Sequence, residues 1–144
     1  LPPLRTKEDQ IALIEGIKKG VVDVITSNHQ PHENEIREVE FPIAPMGCIG
    51  TQIAFPMALT YLLDELDLET IVKTMSINPR TILQTDIPVI KEGFVANLTL
   101  FDTHTEWKFD KSSNSSLSEN TPMLDSTLKG KVHGTILGNY LHFS

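Results

Sequence analysis

The sequence predicts an α/β fold in two modules, residues 1–86 mainly helical with one buried strand and residues 87–144 mainly β. Three observations predict it. A capped, apolar helix runs through Gly20 straight into the β-branched stretch Val21-Val22-Asp23-Val24-Ile25, which is half of an αβ unit. That stretch breaks off into Thr26-Ser27-Asn28-His29-Gln30-Pro31-His32, as a buried parallel strand does when it carries polar side chains to the open end of a sheet. Past Ile87 the helical period gives way to short alternating segments divided by Gly, Ser and Asn.

Taken in order, Leu1-Pro2-Pro3-Leu4-Arg5 is an extended entry, because the prolines must be cleared before a helix can start. Thr6 is a fitting N-cap, Glu8 and Asp9 suit the first turn, and Ile11, Ile14 and Ile17 recur at helical spacing. Lys18, Lys19 and Gly20 close the helix. After His32 the chain makes a long loop, acidic through Glu40 and rich in Pro and Gly through Gly50, beyond the strand's carboxyl end where functional loops concentrate. A mostly buried helix is expected from about Thr51 to Leu66, with Pro56 tolerable in its first turns. A second starts near Asp67 and stops at Asn78-Pro79, which opens a third through Ile82 and Leu83. In the β module, Val95 to Phe101 and Thr105 to Phe109 are strands, and the Ser- and Asn-rich Lys111 to Asn120 is a mobile loop. Lys131 to Leu137 and Tyr140 to Phe143 form a hairpin across Gly138-Asn139.

Composition narrows the partners. The 144 residues carry 12 basic and 19 acidic side chains, a net charge of -7, which argues against nucleic acid and against an anionic membrane surface. No apolar run is long enough to span a bilayer. The single cysteine, Cys48, cannot form an internal disulfide and fits a reducing, cytoplasmic setting. The first residue is Leu1, not Met, so a piece of a longer polypeptide is expected.

Six motifs in register then resemble the C-terminal portion of the dihydroorotases, a family of the cyclic amidohydrolase superfamily. Pro2-Pro3-Leu4-Arg5 resembles the family's NPPLR segment, Asn28-His29-Gln30-Pro31-His32 its DHAPH, and Met46-Gly47-Cys48-Ile49-Gly50 its FGIVG loop. Ser76 to Arg80 is similar to S-x-NPA, and Phe94 to Asp102 to the G-x-ADLVLFD strand. Asn120-Thr121-Pro122-Met123 with Leu128 to Val132 is similar to the NTPF and LKGRV elements. The resemblance implies that residues 1–86 are the C-terminal part of a (β/α)8 TIM barrel and residues 87–144 belong to a small β-sandwich-like domain. It implies a hydrolase that interconverts N-carbamoyl-aspartate and dihydroorotate in pyrimidine biosynthesis at a zinc centre, where the metal polarises an amide carbonyl and supplies hydroxide.

The resemblance also locates a departure. Where the family ends its last barrel strand in an aspartate that binds metal and moves the proton, this chain has Asn28. An amide does not titrate near neutral pH and is a poor zinc ligand. Either the site is degenerate, or another group moves the proton; Asn28 alone would also be an ordinary capping amide in a turn. His32 matches the histidine that contacts the substrate carboxylate, against the plain reading of a hydrogen-bonded loop histidine, and Met46 and Gly47 fall in the substrate-binding loop. His29 is expected to be a packing or loop contact, Arg5 a solvated helix-entry residue, and Cys48 an unreactive thiol. Leu1 stands where the family has a substrate-binding Asn, a second departure. His104, His133 and His142 lack metal-ligand spacing and are structural.

A complete barrel needs roughly 200 residues or more, and the family's remaining zinc ligands lie upstream of anything in this chain. The expectation is therefore that no metal site lies within it, that zinc is held elsewhere or not at all, and that it packs on the N-terminal half of the same protein, with homo-oligomers and aspartate transcarbamoylase as further partners. Two alternatives stand beside this one. One is a non-catalytic homologue that scaffolds aspartate transcarbamoylase; the other is a related allantoinase- or dihydropyrimidinase-type hydrolase.

Overall fold

A computed structural model describes residues 6–33, 35–36 and 38–143. Leu1 and Arg5, and with them the expected proline-rich entry, lie outside the described residues.

Helix α1 spans Lys7–Lys18 and starts as its sequence dictates. The Thr6 hydroxyl accepts the Asp9 N–H while the Asp9 carboxylate accepts the Thr6 N–H, a reciprocal capping box. At the other end Val21 N–H reaches the Gly16 carbonyl (2.8 Å) and Gly20 N–H the Ile17 carbonyl (3.0 Å). This Schellman closure needs a left-handed residue, which Gly20 supplies at φ 67°. Only one side of α1 packs. Ile14 and Ile17 meet the cluster of Ala58, Leu59, Leu66 and Ile71, whereas Ile11 and Leu13 stay exposed.

The stretch after α1 departs from expectation. No strand forms across residues 21–32, which run without regular structure and turn left-handed at Asn28. A strand exists only through a ladder to a neighbour, and among the described residues none lies alongside. Non-ladder bonds hold the segment instead, among them Ile25 N–H to the Thr74 carbonyl (3.1 Å) and the Asn78 amide to the Asp23 carbonyl (2.8 Å).

Helix α2, Ala54–Leu62, is shorter at both ends than expected. Residues 51–53 form a turn ahead of Pro56, and Leu66 is buried by a tight turn that closes on the Leu62 carbonyl. Helix α3, Leu68–Val72, is capped by the Asp67 carboxylate, which accepts the Thr70 N–H at 2.7 Å. The expected stop at Asn78-Pro79 is a join. A single π-helical turn, Lys73–Ile77, carries α3 into α4, Asn78–Ile82. Pro79 has no N–H to continue an α-helical ladder, and a wider turn absorbs the missing bond.

Five strands follow: β1 Asn97–Phe101, β2 Glu106–Phe109, β3 Ser126–Lys129, β4 Val132–Leu137 and β5 Tyr140–Phe143. They make two antiparallel sheets, β1-β4-β5 and β2-β3. The β4–β5 hairpin turns at Gly138-Asn139 with Leu137 opposite Tyr140, as its sequence requires. Strand β3 has no counterpart in the sequence reading.

Helix α2 lies between two small cores. One is the Leu59 cluster shared with α1 and α3; the other is Ile49, Ile53, Phe109 and Leu128, contributed by the loop before α2 and by β2 and β3. Fully burying one such side chain is worth about 1.5–3 kcal/mol. The Lys129 N–H also donates to the Thr60 hydroxyl at 2.8 Å, tying β3 to α2. The β2-β3 sheet is thus fastened to α2 and to the loop before it that holds residues 46–50.

Candidate functional site

The polar end of the stretch after α1 is built from three loops. Asn28 sits at φ 44°, a left-handed conformation that Asn and Asp accept more readily than other side chains. Its N–H lies 3.5 Å from the Thr26 hydroxyl, and the residue is exposed. His29 turns its Nδ1 onto the start of the α2 segment, accepting the Gly50 N–H (3.1 Å) and the Thr51 N–H (3.3 Å). That nitrogen must be bare to accept, so the proton of the neutral ring sits on Nε2.

His32 is set by contacts on both its backbone and its ring. Its Nε2 lies 3.1 Å from the Met46 carbonyl, which can only accept, so this nitrogen donates and Nδ1 is left as the bare nitrogen. Its carbonyl accepts the Ser118 hydroxyl at 2.6 Å, and its N–H points at the Ser118 hydroxyl (3.2 Å) and the Asn120 side-chain oxygen (3.4 Å). Gly47, at φ 112°, passes so close to Gln30 that an added Cβ would lie 2.8 Å from the Gln30 Cβ. Gln30 N–H donates to the Cys48 carbonyl (2.9 Å), clasping the two segments together.

The structure therefore brings His32, Met46 and Gly47 together through main-chain and ring hydrogen bonds. The Met46 side chain itself is exposed. Asn28, only four residues from His32, shares no hydrogen bond with these three among the described residues.

Sequence reasoning missed the support beneath. The Ser- and Asn-rich loop, expected to be mobile, is pinned at many points. The Gln52 side chain donates to the Ser113 carbonyl (2.6 Å) and accepts the Ser115 N–H (2.8 Å). The Asn114 amide accepts the Ser116 N–H (3.0 Å) and donates to the Ser118 carbonyl (2.9 Å). Asn120, 1% exposed, donates its amide to the carbonyls of Gln30 (2.9 Å) and Gly47 (3.3 Å) and accepts the Ile49 N–H on its main-chain oxygen (3.1 Å). Short polar side chains that bond locally gave the composition of a flexible linker and the behaviour of a brace. The only sequence signal was Asn120-Thr121-Pro122, read as a motif without a role.

Two hollows flank this arrangement. One, of about 260 Å³, lies between His29, Gln52, Phe109 and Asn114. The other, of about 360 Å³, is polar and lies beside His32, Glu33, Lys111 and Glu119. Lys111 meets Glu119 at 2.7 Å, and that carboxylate raises the ammonium pKa above its ordinary value. Away from the site, the Asp102 carboxylate accepts the Thr105 N–H (2.7 Å), the His104 N–H (3.0 Å) and the His133 Nε2 (2.9 Å). These donors, the Thr105 N–H foremost, hold it well below the usual carboxylate range.

Among the described residues no group of three or more His, Cys, Asp or Glu could hold a metal ion. The donor set present does not fit a closed zinc site, which takes four N, S or O ligands. Among them, too, no helix is long and apolar enough to cross a membrane.

The fold of the chain is similar to that of part of a solved hydantoinase. The structure superposes on the L-hydantoinase (dihydropyrimidinase) of Arthrobacter aurescens with a TM-score of 0.86 and 26% identity, over 97% of this chain and 33% of that one. In sequence the chain is similar to dihydroorotases: it is 43% identical to the dihydroorotase of Aquifex aeolicus over 137 residues, 94% of this chain and 32% of that protein. The inactive dihydroorotase-like domain of a Chaetomium thermophilum CAD-like multifunctional protein shares the fold at a TM-score of 0.68 and 21% identity, over 96% of this chain and 36% of that chain. No family model matches the chain. It spans about one third of the length of the curated relatives it matches.

Proposed function

We propose that this chain is the C-terminal portion of a cytoplasmic dihydroorotase-like hydrolase that interconverts N-carbamoyl-aspartate and dihydroorotate in pyrimidine biosynthesis. In this reading it forms the last part of a (β/α)8 barrel with a small β-sandwich-like domain and works against the N-terminal part of the same protein. The observation that carries it is the 43% identity to a dihydroorotase along 94% of the chain. His32 would contact the substrate carboxylate, with Met46 and Gly47 shaping the loop beside it. Zinc, which in the family polarises the amide carbonyl, would be held by residues outside this chain.

The same reading makes the site catalytically impaired. Asn28 stands where the resemblance places a proton-carrying aspartate, and its amide has no titratable group to offer. Its left-handed backbone suits Asp as well as Asn, so Asn28→Asp is a clean reversal rather than a structural insult. Dihydroorotate turnover by the natural full-length protein, with zinc content measured in parallel, tests this. The natural protein should turn over slowly or not at all, and Asn28→Asp should raise the rate by about 10²–10⁴-fold, the usual reach of general acid–base catalysis. Turnover of roughly 1–10³ s⁻¹ in the natural protein, the ordinary range for enzymes, would remove the impairment.

The absence of a titratable side chain at Asn28 also favours a second reading. A protein without proton transfer could serve as a non-catalytic partner, in a homo-oligomer or with aspartate transcarbamoylase.

A further inference from the structure

We infer that Ser118 and Asn120 are positioning residues for the imidazole of His32, acting from the β module on a site whose side chains come from the other end of the chain. The inference rests on the reading of His32 as a substrate contact. Three features of the geometry support it.

First, the pair grips the His32 backbone on both sides. The Ser118 hydroxyl donates to its carbonyl at 2.6 Å and lies 3.2 Å from its N–H. Second, Asn120 fixes the partner of the ring. The Met46 carbonyl that accepts from His32 Nε2 belongs to the residue before Gly47, and the Asn120 amide holds the Gly47 carbonyl at 3.3 Å and the Gln30 carbonyl at 2.9 Å. One buried amide therefore spans the two loops whose separation sets the His32–Met46 bond. Third, the donor count leaves no slack. The Ser118 hydroxyl has one proton and two acceptors in reach, the His32 carbonyl and the Asn120 Oδ1 at 2.5 Å. Rotating the Asn120 amide would aim its NH2 at Ser118 but turn its oxygen onto two carbonyls, so the observed orientation is the one that gives the Gln30 and Gly47 carbonyls a donor.

The consequence is a single imidazole tautomer. With Nε2–H committed to Met46 the neutral ring presents Nδ1 bare, and because a carboxylate only accepts, contact with one requires a proton at Nδ1 or release of Nε2–H from Met46. Loosening either loop lets the ring exchange tautomers and swing.

The test is ¹⁵N NMR of histidine ring nitrogens in the natural full-length protein, in Ser118→Ala and in Asn120→Ala, with and without dihydroorotate. His29 and His133, held by other partners, report on the integrity of the fold. The expected result is a single Nε2–H form for His32 in the natural protein and a tautomer mixture in both variants, with His29 and His133 unmoved. Dihydroorotate affinity should fall on the order of tenfold, as loss of one well-placed hydrogen bond would produce. A His32 signal unchanged in Ser118→Ala, the milder variant and the deciding one if Asn120→Ala unfolds, overturns the inference. If His32 responds as expected but dihydroorotate leaves its signal untouched in the natural protein, the positioning stands and the substrate reading of His32 falls.

Discussion

Gly47→Ala should unsettle the site through backbone strain and a clash that has no easy escape. At φ 112° an L side chain is strained, at a cost of about 1–3 kcal/mol. The new methyl would also meet Gln30. The Gln30 amide oxygen can rotate away, but the Gln30 Cβ, 2.8 Å from the added atom, is fixed to a backbone held by Asn120 and by the Cys48 carbonyl, each at 2.9 Å. Relieving such overpacking costs about a further 1–3 kcal/mol. The smaller conformational entropy of the unfolded alanine chain returns about 0.4–1 kcal/mol. The net loss should be about 1–5.6 kcal/mol.

Gly93→Ala is the matched control. Gly93 also has a positive φ, 84°, but an added Cβ there meets nothing within 4 Å. It carries the strain without the clash, so the difference between the variants isolates the packing against Gln30, about 1–3 kcal/mol. Urea unfolding of both in the full-length protein gives that difference directly. Equal losses would refute the claim that Gln30 cannot yield.

Two further outcomes are expected. The Asp102 carboxyl has a lower pKa folded than unfolded, so its contribution to stability is present above its ordinary value near about 4 and disappears as pH falls through the lowered one; the urea midpoint of the natural protein should therefore drop more steeply below about pH 4 than that of Asp102→Asn. Phe109, 1% exposed in the core with Ile49, Ile53 and Leu128, should cost about 3–5 kcal/mol when cut to Ala, and a loss under about 1 kcal/mol in urea unfolding would mean that core is not where the β2-β3 sheet is fastened.

What the sequence disclosed was decided locally. The Thr6–Asp9 box, the Gly20 closure and the Gly138-Asn139 hairpin each depend on residues within a few positions, and each is where a reading of the chain puts it. Misreadings arose where the deciding partner was remote. Val21 to Ile25 has the composition of a buried strand, but composition does not supply the neighbour that makes one, and Val21 stands 75% exposed. Pro79 opens the third helix as its sequence requires, but the expected break before it is absent, because a π turn joins α3 to α4. Ser118 and Asn120 were hidden for the same reason. Their partners, His32 and Gln30, are 86 and 90 residues away.

That remoteness bears on how such a site decays. On the proposed reading, proton transfer and positioning fall to different parts of the chain: residue 28 lies four residues before His32, while the brace under His32 comes from the loop before β3. A change at residue 28 removes an ionisable oxygen without disturbing any bond of the brace, since Asn28 shares none of them among the described residues. A change at Asn120 would release two carbonyls and part the loops. On the proposed reading, an Asp-to-Asn change at residue 28 is thus of the kind that abolishes proton transfer and leaves the brace folded, because the left-handed turn accepts either side chain.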